Sequence, residues 1–262
     1  MSALLGLAAC ACSAENAPTP LDEAQLRDAE FIETLSIPNA GELFTAFTKT
    51  AKPDWSAFFH KHPPTPHTSR PLIALNLGTR IADGFLAAEA QDRQQVKNVS
   101  TEIKLLAKSL GFEQEFVGRS NSIADFADNR QWDALDEELE AVHAELAAAM
   151  NAQRDDHLVT LMSLGCWLRA VEIASSHLAA NYTVEGAKIL RQPAVGAFFV
   201  TRLDSLPART KALPVVAELQ QRLPALDAAL SRPPENSPNA EAVAAMRNLA
   251  MGMVNLITAP EQ

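Results

Sequence analysis

Two pairs of opposite charge carry the chemistry this chain could do. Arg80 precedes Asp83 by three residues, and Arg169 precedes Glu172 by three. On a helix, residues three apart share a face, so each pair is a unit. Each follows a Leu-Gly step, Leu77-Gly78 in one case and Leu164-Gly165 in the other. A guanidinium offers a planar fork of N–H donors suited to carboxylate or phosphate. Arg80 and Arg169, brought together, could grip an anionic ligand. The same pairs could instead neutralise themselves and fix helix register, because a buried charge must be paired and hydrogen-bonded. Both readings stay open at this point.

Histidines offer a second chemistry. His60, His62 and His67 fall within His60-Lys61-His62-Pro63-Pro64-Thr65-Pro66-His67, and imidazoles held near one another can share a transition metal. Their spacing matches no fixed ligand set, and the prolines make this a stiff connector. His143 and His177 stand singly on helical patterns. Glu140 and His143 have the Glu-x-x-His spacing of bundle metal sites, but it occurs once where a di-metal bundle needs it twice. Cys166 sits in an apolar run and reads as a small hydrophobe. The hydrolase, zinc-protease, P-loop and dinucleotide-binding templates are absent from the sequence. The chain implies no cofactor.

These side chains need rods to hold them. Between Leu158 and Leu178 apolar residues cover most of a helix, leaving Arg169, Glu172 and Ser176 as the polar stripe. A second run, from Leu72 to about Gln91, covers a wide arc with Leu75, Leu77, Ile81, Phe85 and Leu86. Helices apolar on most sides must be surrounded by other helices. Glycines within the second run, Gly78 and Gly84, signal the close approach of a neighbour. The expectation is an all-α multi-helix bundle around two central apolar helices, about 72–91 and 157–181.

Other helical periods surround these two. They cover 21–35, a short stretch with Leu43, Phe44 and Phe47, a turn after Pro53, then 92–110 with Gly111 as its stop. Further ones follow over 112–126, 131–150, 183–190 and 194–206. Pro224 is expected to divide 215–223 from 225–230, and a last helix runs from Glu241 to about Thr258. No period-two alternation marks a strand. Residues 21–258 read as one domain.

The formal charge of −10 decides against a broad nucleic-acid footprint, since such a surface repels phosphate backbones. Charged residues interrupt both long apolar runs, and neither reads as a membrane span.

The amino end is read apart from the fold. Leu7-Ala8-Ala9-Cys10 resembles the lipobox of bacterial lipoproteins, and residues 1–10 resemble the end of their signal peptide. No Lys or Arg precedes Cys10, as such a peptide requires, so the match is incomplete at the front. The resemblance implies a lipid on Cys10, a tether over 11–20, and a place on the periplasmic side of the cell envelope. Ala11 after Cys10 resembles the outer-membrane pattern where such sorting exists. Ser163–Arg169 and Ile189–Pro193 also look like segments of uncharacterised exported all-helical bacterial proteins, a likeness that implies no activity. The expected function is therefore an exported, envelope-associated protein of binding or scaffold type, meeting the membrane through its anchor and open to a protein partner. The rival expectation is a small anionic-ligand or metal-handling enzyme. It would use the Arg80, Asp83, Arg169 and Glu172 cluster or the three histidines.

Overall fold

Among the described residues, helix-forming composition and three-four periodicity produce eleven α-helices and one short 3-10 turn, and no strand. A computed structural model describes residues 40–50, 53–59, 67–192, 194–232 and 237–260. Cys10, the tether, the helix expected over 21–35, and His60 and His62 lie outside them.

The order is α1 (Ala40–Thr50), the 3-10 turn Trp55–Phe58, α2 (Arg70–Glu89), α3 (Arg93–Leu110), α4 (Glu113–Asp128), α5 (Trp132–Ala152) and α6 (Asp156–Ala180). Then come α7 (Val184–Ile189), α8 (Val195–Asp204), α9 (Ala208–Lys211), α10 (Pro214–Leu230) and α11 (Ala240–Thr258).

Helices α2 and α6 are the central pair, as the sequence predicts. Every residue of α2 from Leu72 to Ala88 is buried. Helix α6 is buried over most of its circumference. They pack on each other more extensively than any other two helices; α1, α3, α5, α8 and α11 pack on one or both of them, while α4 packs between α3 and α5 and α10 between α8 and α11. One continuous apolar core joins all these layers. By length and mean hydropathy α6 could cross a bilayer despite Arg169 and Glu172, but 78% of its most apolar window is buried in this core.

The crossing depends on two glycines. A Cβ on Gly78 would overlap the carbonyl oxygen of Met162 and lie 2.7 Å from the Cys166 nitrogen. A Cβ on Gly165 would overlap the carbonyl oxygen of Leu75. Each helix thus presents bare backbone to the other at the same place.

From α2 to α6 the chain runs as successive antiparallel neighbours joined by one kind of elbow. Four residues take the left-handed backbone at the joints: Gln91 (φ 54°), Gly111 (φ 91°), Arg130 (φ 56°) and Arg154 (φ 62°). After each, a backbone N–H reaches back five residues, from Asp92 to Ala87, Phe112 to Ala107, Gln131 to Phe126 and Asp155 to Met150, at 2.8–3.1 Å. This is the Schellman closure of a helix end, followed at once by the next helix.

The break expected at Pro224 does not occur, for α10 continues through it. An interior proline costs about 3 kcal/mol. Leu219, Leu223, Leu226 and Leu230 are all fully buried on one face. Each such burial contributes about 1.5–3 kcal/mol, which outweighs the proline.

Candidate functional site

The central crossing places Arg80, Asp83, Arg169 and Glu172 in one cluster. Their i, i+3 spacing puts each pair on one face, and the glycine contact brings the two faces within reach. Arg80 Nη1–H donates to Asp83 Oδ2 at 2.9 Å. Arg169 Nε–H donates to the other oxygen, Asp83 Oδ1, at 2.8 Å. Asp83 therefore bridges the two helices. Arg169 Nη1 donates to Glu172 Oε2 at 2.8 Å and Nη2 to the Phe58 carbonyl at 2.5 Å. All three nitrogens of Arg169 are engaged by the protein. Arg80 Nε also lies 3.3 Å from Glu102 Oε2 on α3.

Arg80, Asp83 and Arg169 are each 3% exposed. Burial alone favours a neutral Arg169, but the charges and hydrogen bonds of Asp83 and Glu172 outweigh it and raise its pKa. Burial also raises the Glu102 carboxyl; the Arg80 charge opposes this and Asp83 adds to it. Two guanidiniums face three carboxylates, Asp83, Glu102 and Glu172. With all three ionised the cluster carries charge −1. An entering anion would have to displace a carboxylate from a guanidinium.

Sequence reasoning identified this quartet but missed Glu102 and the Phe58 carbonyl. Neither shows a local signal, because both arrive from other elements. His67 lies half-buried just before α2, away from this crossing in sequence and element. Among the described residues no group of three or more His, Cys, Asp or Glu is arranged to hold a metal ion.

The other reactive side chains fall into separate places. Burial pushes the Cys166 thiol up to about 12, so it holds its proton and packs as a hydrophobe. His143 on α5 meets Ser163 on α6, with Nε2 and Oγ 3.4 Å apart, and burial lowers its pKa. That separation is long for a hydrogen bond with a hydroxyl. His177 sits among Phe47, Trp55 and Phe58, whose ring centres lie 5.9–6.5 Å from its own. Burial lowers its pKa as well.

Two of the open clefts on the outside are lined by described residues. One, of about 360 Å3, lies between α1 and α5 and is lined by Glu42, Thr45, Lys49, Asp136 and Glu140 among others. Burial pushes Asp136 up to about 7, with Glu89, Asp133 and Glu140 adding their charges. The second, of about 610 Å3, lies between the α2–α3 and α4–α5 elbows. None of the central quartet lines either cleft.

Comparison with family models, curated proteins and solved structures finds no match to this chain.

Proposed function

We propose that the chain is an exported, envelope-associated helical protein that binds or scaffolds, held to a membrane by a lipid on Cys10. The observation that carries the binding half of this reading is the closed central cluster. Arg169 spends every nitrogen on Asp83, Glu172 and Phe58. The most reactive-looking charges in the sequence therefore build the body and bridge its two central helices. Contact with other molecules falls to the surface, where the elbows and helix ends face solvent. The export half rests on Leu7-Ala8-Ala9-Cys10 and its resemblance to a lipobox.

The test is to produce the protein from its native locus sequence in a bacterial host and weigh its N-terminal peptide. A mature terminus at Cys10 carrying acyl chains, lost in Cys10→Ala, is the expected result. A soluble product with an unmodified Met1 removes the anchor and the envelope location.

A further inference from the structure

The larger cleft has a charge balance opposite to that of the molecule. Its lining includes Arg93, Lys97 and Arg130 against Asp92 and Asp128, in a chain whose formal charge is −10. Both acids are already committed. Asp92 Oδ1 accepts the Gln95 backbone N–H at 2.9 Å and so caps α3. Asp128 takes Lys97 Nζ on both its oxygens, at 2.7 and 2.8 Å. Arg93 and Arg130 form no ion pair or hydrogen bond through their side chains with another described residue. Two arginines thus line one cavity with their donors turned to solvent.

The fold makes this happen rather than local sequence. The two elbows belong to alternate connections of an up-and-down array, so they come to the same end of the molecule. The left-handed backbone at Arg130 places that residue between α4 and α5. Helix α5 then starts at Trp132 behind Gln131, which supplies no side-chain cap. Its first-turn N–H groups are left without intrahelical partners, and a helix start of this kind favours negative charge, part of which Asp133 in the same turn already supplies. Trp132 adds an apolar wall to the same cavity.

We infer that this cleft binds a small phosphate-bearing anion, with Arg93 and Arg130 as its two clamps and the start of α5 facing the phosphate. Paired arginine forks suit phosphate geometry and charge. Lys97 remains on Asp128 and screens that carboxylate from the ligand. The inference rests on the binding reading above and gives it a site and a ligand class. It does not depend on the lipid anchor, so the two can fail separately.

The experiment is a titration of the full chain with inorganic phosphate at low ionic strength, followed by amide NMR shifts and by the indole N–H signal of Trp132. Saturable shifts confined to residues 91–94 and 130–134 are expected. Arg93→Gln should weaken binding at least tenfold while leaving the thermal midpoint unchanged. Arg130→Asn, which tolerates the left-handed backbone, should do the same, and the double variant should abolish saturation. Absence of saturable shifts overturns the proposal. So does equal affinity for chloride, or undiminished phosphate binding in the double variant.

Discussion

Asp83 is the one carboxylate that both central arginines share, so its charge is worth more than that of either acid beside it. Asp83→Asn keeps the shape but removes the one carboxylate that both buried guanidiniums share, leaving Arg80 to Glu102 and Arg169 to Glu172. Breaking a buried pair from one side costs about 3–5 kcal/mol, and chemical denaturation of this variant should show a loss in that range. A loss below about 1 kcal/mol would mean that the cluster is wetter than its burial indicates. Asp136 behaves in the opposite way. Its folded pKa of about 7 lies above its ordinary value of 3.8, so between these values the folded chain holds a proton that the unfolded chain has lost. Stability therefore falls as pH rises through that window, and the full penalty stands above pH 7. Asp136→Asn removes the penalty. The variant should melt close to the parent near pH 4, increasingly above it toward pH 7, and by a constant margin beyond. A margin that does not change with pH would contradict this. Near pH 4 the carboxyl is neutral, so its buried Oδ1, which lacks a hydrogen-bond partner, carries no charge to penalise.

At the scale of elements, the two central helices were legible because their apolar residues fill most of the circumference, a pattern only a surrounded helix needs. Gly78 was legible as a point of close approach, and the structure supplies the reason in the Met162 carbonyl. The bridge from Asp83 to Arg169 was not legible. Each arginine had an acid three residues away, and nothing local distinguishes a closed pair from one that also reaches across. The elbows were half legible. Gly111 announces its turn, whereas Gln91, Arg130 and Arg154 hold the same conformation without a residue that favours it. Pro224 misled for the converse reason, since four buried leucines override a local breaker. Two substitutions separate the kinds of backbone position involved. Gly78→Ala forces the central helices apart and should cost at least about 3 kcal/mol, the upper range for overpacking a core. Arg154→Gly relieves a left-handed residue at an exposed elbow and should stabilise by about 0.5–1 kcal/mol. Thermal melts of both variants against the parent would check the opposite signs.

Across the whole molecule, one core runs without interruption from Phe44 on α1 to Ile257 on α11. Asn76 ties its middle to its end, donating to the Ile257 carbonyl at 2.8 Å. A body joined in this way should unfold as one unit. The near-ultraviolet signal, which reports the packed tryptophans, and the far-ultraviolet helical signal should share a single midpoint. Separate transitions would divide the α3–α5 side from the α8–α11 side. The fold class and the central pair were visible in the sequence at this scale; the cleft that Arg93 and Arg130 line was not, because these residues come to one end only when alternate elbows align.

The bond between Asp83 and Arg169 spans 86 positions of sequence. A ribosome delivers α2 first and must make three further helices before its main partner appears. Until then a helix buried at every position from Leu72 to Ala88 in the finished fold has, of the α-helices, only α1, α3 and α5 for cover. Long-range closure of this sort slows folding and leaves early products prone to clump. Truncated chains that stop before α6 should therefore be sticky and short-lived, however many of their helices have already coiled.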